Sequence, residues 1–196
     1  VEYAGLGKAY SLRSWELREY YNTTDPALIE KSFQSSKKAL ALNTNLDEAH
    51  LSLARYYQEV DEKKIANKWT LCEEETRKAL EINENNGEAY LLLSKIFAYD
   101  IPKSEMYLKQ AIEKNKFLVD AHNNLGTLYF QQQEFEEAVR FYSQAILCNP
   151  DFQSAYFNRA NAYYESAEAE LALRDINHFL KAKPDTVPAI FLQGLI

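Results

Sequence analysis

Residues 119–152 read VDAHNNLGTLYFQQQEFEEAVRFYSQAILCNPDF, and their pattern decides the fold. Up to Gln131, the apolar residues Val119, Ala121, Leu125, Leu128 and Tyr129 recur at helical spacing. From Phe135 to Leu147 a second stripe runs through Phe135, Ala138, Val139, Tyr142, Ala145 and Ile146, three and four residues apart. Asn149-Pro150 then ends the helix, because the residue before Pro avoids the α region. The stretch predicts two amphipathic helices that pack on each other.

The same pattern extends in both directions. A small residue followed by a ring or an aliphatic recurs as Ala49-His50, Ala89-Tyr90, Ala121-His122, Ala155-Tyr156 and Ala189-Ile190, at spacings of 40, 32, 34 and 34. A second landmark recurs at the same spacings: Ala39-Leu40, Ala79-Leu80, Ala111-Ile112, Ala145-Ile146 and Phe179-Leu180. The distance from each second landmark to the next first one is always 10 (39 to 49, 79 to 89, 111 to 121, 145 to 155, 179 to 189). Length therefore varies only inside a repeat and never at the junction between repeats. Stacked helical pairs behave this way, since the junction sets the angle between neighbours while the inner turn can lengthen into solvent.

These residues resemble a tetratricopeptide repeat (TPR) array. Residues 119–152 carry nearly the whole signature: His122 in the aromatic place, Leu125-Gly126, Tyr129, Phe135, Ala138, Tyr142, Ala145 and Pro150. The next repeat offers Tyr156, Tyr163, Ala172 and Pro184, and departs with Ala160 where Gly is common and Phe179 where Ala is common. Near the start, Tyr3, Leu6-Gly7 and Tyr10 fit a first helix. The resemblance implies an all-α, right-handed superhelical solenoid. The spacing divides residues 1–196 into five antiparallel helix pairs, at about 1–46, 47–86, 87–118, 119–152 and 153–186. A further helix starts near Val187 with Pro188 in its first turn, its apolar face capping the fifth pair. Asp25-Pro26 reads as an N-cap followed by Pro in the first turn. The second repeat holds extra residues, 61–69, that either extend a helix or form a loop.

Composition narrows the function. Hydrophobic residues at 46% supply a core, while 5 Gly and 5 Pro disfavour an all-β fold. A net charge of −7 argues against a nucleic-acid partner, which needs a basic face. No apolar run reaches the ~18 residues of a membrane span, and no charged-then-apolar leader opens the chain, so the expected compartment is cytoplasmic. The chain opens at Val1 and closes on an apolar stretch, Ile190–Ile196, which reads as a piece of a longer protein.

No reactive constellation emerges, so neither catalysis nor a cofactor or metal is expected. His50 and His122 occupy the aromatic packing place, without ligand partners at metal spacing. His178, on a second helix, reads as surface or interface. Cys72 and Cys148 read as small hydrophobes. Gly5-Leu6-Gly7-Lys8 lacks the spacing and following Ser or Thr of a phosphate loop. Asn22-Thr23-Thr24 fits a glycosylation sequon. Glu73-Glu74-Glu75 and Glu134, Glu136 and Glu137 read as solvated faces of second helices.

What remains is the inner surface, which the resemblance assigns to the first helices. It presents Asn123, Asn124, Thr127 and Gln131 from the fourth repeat, and Asn158, Asn161, Tyr164 and Glu165 from the fifth. Asn124 and Asn158 are 34 apart and are expected one above the other. A carboxamide carries donor and acceptor together and suits an extended peptide backbone. The TPR arrays of O-GlcNAc transferases have an asparagine ladder at this place; here it has two rungs, with Leu92 and Ser52 in the preceding repeats. A carboxylate clamp for acidic chaperone tails lacks its full Lys, Asn and Arg set, despite Arg55 and Lys95. The expected function is a non-catalytic protein–protein interaction module whose concave groove takes a peptide or a partner's helix. The alternative is a substrate-recruiting arm of a larger enzyme, such as a glycosyltransferase or a bacterial protein kinase. A third reading is self-association through the apolar C-terminal helix.

Overall fold

The computed structural model describes residues 2–21, 25–61 and 63–196. The sequon at Asn22-Thr23-Thr24 lies outside them. The described residues form eleven helices and no strand: α1 (Glu2–Tyr21), α2 (Pro26–Leu42), α3 (Asp47–Glu59), α4 (Lys68–Ile82), α5 (Gly87–Ile96), α6 (Ile101–Lys114), α7 (Val119–Gln131), α8 (Phe135–Cys148), α9 (Gln153–Glu165), α10 (Ala169–Ala182) and α11 (Val187–Leu195). They fall into two compact units, Val1–Ala98 and Tyr99–Ile196. Within the first, α1 packs on α2, α2 on α3, α3 on α4 and α4 on α5. Within the second, each helix from α6 to α11 likewise packs on its successor; in addition α1 touches α3 in the first unit, and α7 touches α9 in the second.

The landmark alanines explain the pairing. Ala49, Ala79, Ala89, Ala111, Ala121, Ala145, Ala155 and Ala189 are completely buried, and Ala39 nearly so. Close approach also needs complementary volumes across each pair. A Cβ built on Gly126 would lie 2.8 Å from the Tyr142 ring and 3.2 Å from the Ala138 carbonyl oxygen. One repeat later, Ile176 replaces the ring, and Ala160 fits beside it in the same cluster. In α1, Gly7 faces Ser36, whose Oγ would lie 2.5 Å from an added Cβ. Gly7 is thus a packing residue inside a helix rather than part of a phosphate loop.

Four of the five junctions share one repeated turn; at the fifth, Lys183 stands in the same place and donates its N–H to the Phe179 carbonyl at 3.0 Å. Asn43, Asn83, Asn115 and Asn149 each leave the helix in extended conformation and donate their own N–H to the carbonyl of Ala39, Ala79, Ala111 or Ala145, all at 2.9 Å. Each asparagine Oδ1 then accepts from the N–H two residues on, at 2.9–3.1 Å. At these four junctions the side chain supplies the turn that the backbone needs.

The inner turns vary. Gln133 and Ala167 hold the left-handed conformation, with φ of 62° and 61°, in three-residue turns. There the N–H groups of Glu134 and Glu168 reach back to the carbonyls of Tyr129 and Tyr163, at 2.9 and 2.8 Å. In the second repeat, most of the extra residues form a loop between α3 and α4 rather than extending a helix. Lys68 Nζ donates to the Val60 carbonyl at 2.9 Å, placing its charge at the α3 C-terminus. Asp25 caps α2 by accepting from Ala27 N–H at 2.9 Å, with Pro26 at the helix start. In α11, Ala189 and Leu192 join the cluster of Ala160, Ile176 and Phe179, while Val187 and Phe191 stay about two-thirds exposed or more.

Candidate functional site

The face shared by α7 and α9 starts from a helical constraint. On α7, Ala121, Leu125 and Leu128 turn into the pair, which leaves the polar residues between them to face outward. The structure sorts the eight polar candidates into two groups.

One group is committed to internal bonds. Asn158 Nδ2 donates to Asn123 Oδ1 at 3.0 Å, joining α9 to α7. Asn123 is only 9% exposed, so the residue 35 positions before Asn158, not Asn124, is its partner. Thr127 Oγ1 donates to the Asn123 carbonyl at 3.1 Å and accepts from the Tyr142 hydroxyl at 3.2 Å. Burial pushes that hydroxyl up to about 12, only partly opposed by the Thr127 bond. Asn161 Nδ2 donates to the Phe157 carbonyl one turn back, at 2.8 Å.

The other group faces solvent with its polar atoms uncommitted. Among the described residues, the side chains of Asn124, Gln131, Tyr164 and Glu165 make no hydrogen bond within the chain; Asn124 is half-buried and the others exposed. Asn158 also keeps its Oδ1 available. The arrangement offers carboxamides, a phenol and one carboxylate on a base fixed by the Asn123–Asn158 bond.

A stronger tie lies behind this face. Arg159 on α9 grips Asp175 on α10 through Nε to Oδ2 at 2.6 Å and Nη2 to Oδ1 at 3.0 Å, and donates from Nη1 to Ser143 Oγ on α8 at 2.9 Å. Tyr156 and Tyr163 lie 5.7 and 5.8 Å from the guanidinium carbon. Asp175 is 2% exposed. This buried pair ties α9 to α10, at the residue next to Asn158. It sits where the preceding repeat has Leu125 and Phe141, so the sequence signal is a charge at each of two apolar register positions.

Two other expectations change. Glu75 does not sit on a solvated face: its side chain is 13% exposed and accepts from His50 and Lys78. His50 is buried, as the packing place requires, yet its ring is also an ion-pair partner. His178 stacks on Tyr156 with centroids 4.0 Å apart. Cys72 is fully buried, and burial pushes its thiol up to about 12. Arg55 pairs with Glu88 on the next first helix. Among the described residues, no group of three or more His, Cys, Asp or Glu is placed to hold a metal ion. Among the described residues, no helix is long and apolar enough to cross a membrane.

Residues 119–152 match the family model of the tetratricopeptide repeat. No curated protein matches this chain. Among solved structures, PilF of Pseudomonas aeruginosa superposes with a TM-score of 0.73 at 18% identity, covering 98% of this chain and 83% of that one. MamA gives 0.63 at 22% identity, over 81% of this chain and 91% of its own. YrrB, whose structure is described as a TPR protein with an unusual peptide-binding site, gives 0.60 at 18% identity, over 94% and 90%. At these identities the likeness is one of fold. Residues 119–152 thus carry a tetratricopeptide repeat, and the chain as a whole shares the all-helical fold of these TPR proteins.

Proposed function

We propose that this chain is a non-catalytic protein–protein interaction module that holds a peptide or a partner's helix along the face shared by α7 and α9. The supporting observation is the division of that face. Asn123, Thr127 and part of Asn158 fix the geometry, while Asn124, Gln131, Tyr164 and Glu165 keep their polar groups available. Recognition gains from such preorganisation, because the ligand need not order the receptor. A carboxamide reads a peptide unit through one donor and one acceptor. Tyr164 adds a rigid amphipathic ring. YrrB, the structural neighbour described as having a peptide-binding site, lends support to a peptide ligand.

The test selects peptides from a random display library on the immobilised chain and measures their affinity by calorimetry. The paired variant Asn124→Ala/Tyr164→Ala is expected to keep its unfolding midpoint and lose about tenfold or more in affinity, the scale of one or two hydrogen bonds. Unchanged affinity for every selected peptide would remove this face from the proposal.

A further inference from the structure

His50 on α3 has both ring nitrogens against acceptors. Nε2 lies 3.1 Å from the Thr44 carbonyl oxygen, in the junction between α2 and α3. Nδ1 lies 2.6 Å from Glu75 Oε2 on α4. A neutral imidazole carries one N–H and satisfies only one of them. The other oxygen of Glu75 accepts from Lys78 Nζ at 2.7 Å, which favours the ionised carboxylate. The additional proton therefore sits on the ring, and His50 is an imidazolium.

His122 provides an internal comparison. It occupies the same register place, and its Nε2 lies 2.9 Å from the carbonyl of Lys116, again six residues back. Phe141 stands where Glu75 would be, with ring centroids 6.4 Å apart, and His122 Nδ1 is buried without a partner. One N–H suffices there.

We propose that His50 is a proton-operated latch: charged, it ties the α2–α3 junction to α4; neutral, it holds only one of the two. The ionisable groups that act on the ring or its carboxylate are Glu75 and Lys78, with Tyr57 and Glu74 beyond them. The charges that α1 and α2 bring to α3 engage elsewhere on it, Lys8 with Glu48 and Glu30 near Tyr56.

The sign follows. The Glu75 bond raises His50 above its ordinary value, against the lowering effect of burial and with help from Thr44. Its contribution is complete below the ordinary histidine value of about 6.5 and is lost as pH rises through the raised one. Burial pushes Glu75 up, but its bonds to His50 and Lys78 outweigh that and leave it lowered, so its contribution fails only as pH falls through that lowered value. The latch is closed between those limits.

The test is a ring-nitrogen NMR titration of the full chain, with hydrogen exchange of the junction amides at 43–47. His50 is expected to titrate above the ordinary histidine value of about 6.5, and raising pH through its midpoint is expected to speed junction exchange roughly tenfold beyond the intrinsic pH effect, the loss of one charge-assisted bond. Glu75→Gln should bring the His50 midpoint down and flatten the exchange profile. A wild-type His50 that titrates at or below the ordinary histidine value of about 6.5, or junction exchange that follows only the intrinsic effect, overturns the proposal without recourse to a variant.

Discussion

Asn158 on α9 donates its side-chain N–H to the Oδ1 of Asn123 on α7, at 3.0 Å, and so joins two helices that the chain order separates by a third. The bond is half-sheltered, since Asn123 is 9% exposed. Removing Asn158 leaves a nearly buried carbonyl without a donor. Asn158→Ala is expected to cost about 1–3 kcal/mol. A double-mutant cycle with Asn123→Ala, read by urea denaturation, should give less than the sum of the two single losses, because the second truncation removes the orphaned oxygen.

The Arg159–Asp175 pair makes a sharper prediction. Breaking it on one side, as in Asp175→Asn, leaves a buried guanidinium without its counter-charge and should cost about 3–5 kcal/mol. Replacing both partners by the residues of the preceding repeat, Arg159→Leu with Asp175→Phe, should recover most or all of that loss, since apolar replacement of a buried pair is often neutral or stabilising. Chemical denaturation of the three proteins checks the order.

Gly126 and Ala160 differ for a reason that mutation can expose. Gly126→Ala drives a methyl to within 2.8 Å of the Tyr142 ring and should destabilise by about 1–3 kcal/mol. The same substitution combined with Tyr142→Ile, which copies the Ala160–Ile176 arrangement, should cost less than the sum of its parts. Thermal unfolding of the single and double variants decides it.

The left-handed turn residue Gln133 carries strain that a glycine would relieve. An L-residue in this region costs roughly 1–2 kcal/mol, offset in part by the larger entropy loss of glycine on folding. Gln133→Gly should therefore raise stability by about 0.5–1 kcal/mol, seen as a higher denaturation midpoint with an unchanged slope.

The helices were legible because each carries its own period. α7 spans Val119–Gln131, as the apolar spacing predicts, and α8 runs one residue past the predicted Leu147. The constant junction was legible too, although the turn shared by Asn43, Asn83, Asn115 and Asn149 at four of the five becomes visible only when their side chains are seen folding back. The site was less legible, since a shift of 34 residues maps Asn124 onto Asn158, whereas it is Asn123 that Asn158 bonds across α7 and α9. Arg159 and Glu75 were hidden for another reason. A charge in an apolar register position finds its partner on a neighbouring helix, and one-dimensional spacing does not say which neighbour.

The most direct measurement of the central claim is amide and side-chain carboxamide chemical-shift mapping of the full chain, titrated with a peptide selected on it. The account predicts that the largest changes fall on Asn124, Gln131, Asn158, Tyr164 and Glu165, with the Asn123 carboxamide moving alongside through its bond to Asn158. Changes confined to other surfaces, with these residues silent at saturation, would contradict it.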